Sequence, residues 1–158
     1  MQGDPRIIDL LNQVLRKELT GINQYFIHSR MCKNWGYDVL AKKHYDESLE
    51  EMKHADKLIQ RILFLDGVPN LSDYDPILIG PNVRDQLAND LSLERAALGV
   101  LGPGVALSLE AGDHATRELL EHIVVDEEEH VDWIEAQQHQ IREIGYEGYL
   151  AQQIHERS

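Results

Sequence analysis

An all-α fold is predicted: four long helices in a bundle, a long crossover between the second and third, and a short C-terminal helix. Three observations predict it. Apolar residues recur at helical spacing in four long segments. Only 5 prolines and 11 glycines occur in 158 residues, and most lie between those segments. The one aperiodic stretch, Asp66 to Asn82, carries Pro69, Asp75-Pro76 and Gly80-Pro81, and is long enough to run lengthwise along a bundle.

The elements follow in order. Asp4-Pro5 sets a capping carboxylate before a proline at the first helical position, so the first helix starts there and runs to about Asn34, stopped near Gly36. The second runs from about Asp38 to Leu65 and ends at Gly67 and Pro69. After the crossover, the third begins past Asn82 and reaches about Ala111. Gly102-Pro103-Gly104 should kink it, because proline removes a backbone donor and crowds the preceding turn; a split into two shorter helices is the alternative. The fourth runs from about Asp113 to Ile144, with Gly145 as its stop, and Tyr146 to Ile154 adds a short terminal helix. Rods of ~28 residues are ~42 Å long, and four of them with one long connection make a single domain spanning residues 1–158.

Composition removes several functional classes. Lys and Arg total 15 against 28 Asp and Glu, a net charge of −13, which opposes nucleic-acid binding and suits a protein that attracts cations. The 42% hydrophobic content is too high for a disordered acidic tail. No apolar run reaches a membrane span and no leader pattern opens the chain. Cys32 is the sole cysteine, leaving no disulfide framework, zinc ribbon or CxxCH haem attachment; a cytoplasmic location is expected.

Two Glu-x-x-His units stand out, Glu51-Met52-Lys53-His54 and Glu127-Glu128-Glu129-His130. Three residues apart, each pair shares a helix face. Glu18 lies 33 residues before Glu51, and Glu94 lies 33 before Glu127, so the two halves carry one device at an offset of 76. On a helical wheel Leu11, Ile22 and Tyr25 share the side of Glu18. Ala55, Leu58 and Ile62 share that of Glu51, Leu87, Leu91, Leu98, Leu101 and Val105 surround Glu94, and Leu120, Val124, Val131 and Ile134 surround Glu127. Each acid therefore points into an apolar core. Four unpaired buried carboxylates would cost several kcal/mol apiece, against a domain stability of ~5–15 kcal/mol. Two divalent cations neutralise them, and one imidazole per metal suits iron. The bland alternative is a buried acid–histidine network sharing protons, or helices rotated so that the acids are wet. Two Glu and two Glu-x-x-His is the inventory of ferritin-like di-iron and di-manganese carboxylate bundles.

At these residues the chain resembles the bacterioferritins. The likeness runs from Gly3-Asp4 and Glu18 through Asn23-Gln24-Tyr25-Phe26, Asn34-Trp35-Gly36 and Glu51 to Asp56. It continues through Arg61 to Leu65, Pro69-Asn70-Leu71 and Ile79-Gly80 to Asp126-Glu127-Glu128-Glu129-His130. The resemblance implies a ferritin-like fold and a hollow 24-subunit cage that oxidises Fe(II) with O2 or H2O2 and stores the ferric mineral. It implies Glu18, Glu51, His54, Glu94, Glu127 and His130 as ligands of two iron ions per subunit. It also implies one haem b per subunit pair, with Met52 of each chain as axial ligand, and a small ferredoxin as electron donor for iron release. Spacing alone places Met52 about 100° from the metal face, on a second apolar stripe with Tyr45, Ile59 and Leu63; Leu19 and Phe26 form a comparable stripe on the first helix. Some family members have a histidine–aspartate iron site on the inner wall. Here Asp46 and Glu50 stand at those positions, so an inner site is expected only as an acidic wall.

Other candidates carry weaker signals. Tyr25 suits either a bond to a ligand carboxylate or ordinary core packing. His28, His114, His122, His139 and His155 lack partner spacing and are expected at the surface. His44, two turns before Glu51, is a candidate guard of the site, and Cys32 a packing residue. Two rival functions remain. A rubrerythrin-like di-iron peroxidase or oxidase would normally carry CxxC pairs, absent here. A DNA-protecting mini-ferritin would set its ligands between subunits, whereas both Glu-x-x-His units lie in one chain.

Overall fold

A computed structural model describes residues 1–155. Its elements are α1 (Pro5–Asn34), α2 (Asp38–Phe64), α3 (Val83–Glu110), α4 (His114–Ile144) and α5 (Tyr146–Ala151). The crossover between α2 and α3 has no regular structure, as expected, and no strand occurs among the described residues. The helices pair as α1 with α2 and α3 with α4, with α1 also against α3. No helix is long and apolar enough to cross a membrane.

Local chemistry sets the boundaries. Asp4 accepts a bond from the Arg6 N–H with Pro5 in the first turn of α1, Asn82 accepts from the Asp85 N–H at the start of α3, and Asp113 accepts from the Thr116 N–H at the start of α4. α2 ends one residue earlier than expected and α5 stops at Ala151, short of Ile154. α3 runs unbroken through Pro103, so the alternative of a split into two shorter helices does not occur. Gly99, Gly102 and Pro103 are exposed there, and water can serve the carbonyl that proline leaves without a donor. Gly104, one residue on, faces inward: a Cβ there would sit 3.0 Å from a Leu10 methyl, so a larger residue would have to push the Leu10 side chain aside.

Two apolar clusters lie at opposite ends of the bundle. One holds Ile7, Leu11, Val14, Leu58, Ile62, Leu101, Leu120 and Ile123; the other holds Cys32, Leu40, Val83, Leu87, Leu91, Ile134 and Tyr149. Leu19, expected on the second stripe of α1, packs into the first cluster, while Phe26 of that stripe is exposed. A buried polar layer separates the clusters, and it contains the four glutamates of the repeat.

Candidate metal centre

Each helix of the bundle contributes to that layer from near its middle. Glu18 comes from α1, Glu51 and His54 from α2, Glu94 from α3, and Glu127 and His130 from α4; all six are buried. They gather into two groups. Glu18, Glu51, His54 and Glu127 each offer an atom within 4.8 Å of the others, and Glu94, Glu127 and His130 do the same. Glu127 belongs to both, so the groups adjoin.

The geometry favours one nitrogen of each histidine. His54 Nδ1 lies 3.4 Å from Glu18 Oε2 and 3.2 Å from Glu127 Oε1, while its Nε2 pairs with Asp126 Oδ2 at 2.7 Å. His130 Nδ1 lies 3.3 Å from Glu94 Oε1 and 3.4 Å from Glu47 Oε1. Asp126 thus holds the His54 ring from behind and turns Nδ1 toward the carboxylates.

Unsatisfied atoms crowd the space between these groups. Glu18 Oε1, Glu51 Oε1, Glu94 Oε2, both oxygens of Glu127 and both ring nitrogens of His130 are buried without a hydrogen-bond partner among the described residues. Each orphan costs about 1–3 kcal/mol, and more when charged. Electrostatics report the same frustration. Burial, then the charge of Glu127, pushes the Glu18 carboxyl well above its ordinary range. Burial would lower His54, but contacts with Glu127, Glu18 and Asp126 win and push it up to about 11. His130, buried with fewer compensating contacts, is pushed down. Two divalent cations would neutralise the four carboxylates and take up their orphaned oxygens together with His130 Nδ1.

Several residues that lacked a spacing signal belong to this region. Tyr25 is fully buried and its hydroxyl donates to Glu94, so both of its suggested roles meet in one contact. His28 is not at the surface: it is fully buried between Asp90 Oδ1, 2.9 Å from Nδ1, and the Gly80 N–H, which donates to Nε2 at 2.9 Å. The expectation failed because its partners come from α3 and the crossover, remote in sequence. Gln24 also donates to Asp90, at 2.9 Å. Tyr25 and His28, one turn apart on α1, were the available hint. His114, His122, His139 and His155 are exposed, and Cys32 is buried, its thiol on the Gln86 side-chain oxygen at 3.2 Å.

A surface pocket of about 190 Å³, lined by Lys43, Glu47, Glu50, Asp126, Glu129 and His130, opens beside the layer. Glu50 also forms a third, more exposed group with His54 and Asp126, whereas Asp46 is held by Lys42 at 2.6 Å. Met52 points away from the centre and is 54% exposed; Phe26, Tyr45, Leu49 and Leu63 are also exposed, with the Phe26 and Tyr45 rings 6.5 Å apart.

Comparison with known proteins gives the family. The ferritin-like domain family matches residues 8–144. The chain is 45% identical over 152 residues to a bacterioferritin of Mycobacterium leprae, covering 96% of each chain. It is 44% identical over 149 residues to a bacterioferritin of Rhodobacter capsulatus and 42% identical over 149 residues to one of Brucella melitensis, each match covering 94% of this chain and 92% of the relative.

Proposed function

The chain belongs to the bacterioferritins of the ferritin-like family, and from that membership we propose that it is an iron-storage ferroxidase. It takes up two Fe(II) per subunit and passes the Fe(III) product to a ferric mineral inside a 24-subunit cage. The carrying observation is the pair of carboxylate–histidine groups that share Glu127, with their orphaned buried oxygens and nitrogens.

In this reading Glu18, Glu51, His54 and Glu127 hold one iron, and Glu94, Glu127 and His130 the other. The two Fe(II) supply one electron each, and O2 or H2O2 accepts them. The rest is done by the chain. Carboxylates stabilise the higher charge of the product, and the apolar shell strengthens that interaction. Asp126 fixes the His54 ring, and the Tyr25 hydroxyl fixes Glu94. Glu47, Glu50, Asp126 and Glu129 give the pocket a negative mouth that draws Fe(II) inward, an attraction that weakens as salt rises.

The proposal extends to the exposed α1–α2 face. An exposed thioether on α2, which also exposes Tyr45, Leu49 and Leu63, would suit one haem b shared between two copies of the chain, and Met52 of each would hold its iron. Such a haem would supply electron transfer for releasing stored iron, with a small ferredoxin as donor. Met52→Leu should lose the haem Soret band and slow reductive release while fast Fe(II) oxidation stays intact. A free, buried Cys32 thiol supports a reducing, cytoplasmic location. A rubrerythrin-like peroxidase is the second reading, and an assembly that turns over peroxide without accumulating mineral would favour it.

The principal test is anaerobic Fe(II) titration of metal-free protein. Two ions per chain are expected, followed on admitting oxygen by rapid ferric absorbance. Glu127→Ala, which strips a ligand from both groups, should slow that phase by about 100-fold or more. Unchanged kinetics in that variant would refute the assignment.

A further inference from the structure

We propose that His44, whose Nδ1 faces the carboxylate of Asp90, is a positioning residue of the iron site that holds Tyr25 against Glu94. The inference rests on the ferroxidase reading above. His44 sits on α2, seven residues before Glu51, fully buried, with neither ring nitrogen hydrogen-bonded among the described residues. Burial pushes its pKa down to about 4, so the ring is neutral and carries one N–H. Its Nδ1 lies 3.7 Å from Asp90 Oδ2, an oxygen likewise without a hydrogen-bond partner. A proton on Nδ1 aims a donor at the carboxylate, whereas a proton on Nε2 would set lone pair against lone pair. The first tautomer is therefore the lower in energy.

Asp90 is itself fixed from the other side. Its Oδ1 receives Gln24 and faces His28 Nδ1, and the Gly80 N–H donating to His28 Nε2 keeps the His28 proton on Nδ1. The crossover backbone thereby orients Asp90, whose free Oδ2 faces His44 Nδ1 at 3.7 Å. The His44 ring in turn lies parallel to Tyr25, at a centroid distance of 6.5 Å and an angle of 8°. His28 and Trp133 meet it edge-on at 6.0 and 6.2 Å. Tyr25 is confined on another side by the edge-on ring of His130 at 5.0 Å, and its hydroxyl ends on Glu94. The plane of His44 thus sets the plane of Tyr25, which decides where the hydroxyl meets the carboxylate.

Simple packing does not explain these residues. By the 76-residue repeat the counterpart of His44 is Leu120 and that of Asp90 is Val14, both buried in the apolar cluster. The fold closes the equivalent place with aliphatic side chains. An imidazole with both nitrogens unpaired, beside a carboxylate oxygen also unpaired, is less stable than the aliphatic pair at the equivalent place, so packing alone does not account for His44.

Two variants separate the ring from its nitrogens: His44→Phe keeps the ring, and His44→Gln keeps a donor toward Asp90. Each is made alone and together with Tyr25→Phe. Co(II), added alone to metal-free protein, reports ligand geometry through its visible d–d bands, and stopped-flow absorbance reports Fe(II) oxidation. Both variants should still bind Co(II) at the wild-type stoichiometry, with shifted bands and oxidation about tenfold slower. Neither should add to the effect of Tyr25→Phe, because the influence travels through that hydroxyl. Wild-type bands and rates in both variants, or equal slowing with and without the hydroxyl, would overturn the proposal. If His44→Phe fails to assemble, His44→Gln decides by the same criteria. A wild-type chain that neither binds Co(II) nor oxidises Fe(II) would overturn the ferroxidase reading as well, whereas an active wild type with silent His44 variants overturns this inference alone.

Discussion

The two flanks of the buried glutamate layer are built at equivalent positions of one repeat, yet from opposite materials. On one flank stand Gln24, Tyr25, His28, His44 and Asp90, all buried. Their counterparts across the 76-residue offset are Val100, Leu101, Gly104, Leu120 and Val14, which form or adjoin the apolar cluster. The Glu and Glu-x-x-His set is duplicated, while its surroundings are not. The two histidines differ in the same way. His54 is braced by Asp126 at Nε2, whereas Glu50, the repeat counterpart of Asp126, bonds Lys53 at 3.0 Å and leaves His130 Nε2 without a partner. The dry flank supplies stability and the polar flank orients groups at the centre.

Exchanging the materials is the severest way to break this contrast. Val14→Asp would place a carboxylate on the dry flank among Leu10, Leu11 and Ile7, with no donor to receive it. It should remove most of the ~5–15 kcal/mol that holds such a domain, seen as lost helicity by circular dichroism. Single truncations come next. Leu120→Ala should cost about 2–5 kcal/mol in denaturant melts and leave Fe(II) oxidation near wild type. Asp90→Ala, which orphans the N–H groups of His28 and Gln24, should cost about 2–5 kcal/mol and also slow oxidation. Equal effects of both variants on oxidation would erase the distinction between the flanks.

The smallest effect is a pH dependence confined to the glutamate layer. The raised pKa of His54 contributes stability that is full below its ordinary value of 6.5 and is lost as pH rises toward about 11. The raised pKa of Glu18 makes its ionisation unfavourable as pH rises above 4.5. Both signs agree, so the melting temperature of metal-free protein should fall between about pH 6 and pH 9. Zn(II), by neutralising the carboxylates, should flatten that slope; a slope unchanged by metal would place its origin elsewhere.

Much of this was legible in the sequence because its signals are local or periodic. Asp4-Pro5, Asn82 and Gly145 mark helix ends through their own backbone chemistry, and the 33- and 76-residue spacings betray the glutamates. The polar flank was not legible. Asp90 meets Gln24, His28 and His44 across helix interfaces, and Gly80 reaches His28 from the crossover, so no single helix face displays the set. For that reason the sequence alone puts His28 at the surface, whereas it is fully buried. Pro103 shows the opposite case: its missing N–H leaves the Gly99 carbonyl without a donor, but both residues are exposed, water can serve that carbonyl, and the helix continues.

The central claim is that two irons lie side by side in this layer and share Glu127. Crystals soaked anaerobically with Fe(II) and measured at the iron absorption edge test it most directly. Two anomalous peaks per chain are predicted. One should lie among Glu18, Glu51, His54 and Glu127, and the other among Glu94, Glu127 and His130, with Nδ1 of each histidine as the ligating atom. A single peak, or iron confined to exposed acids such as Asp46, would contradict the account.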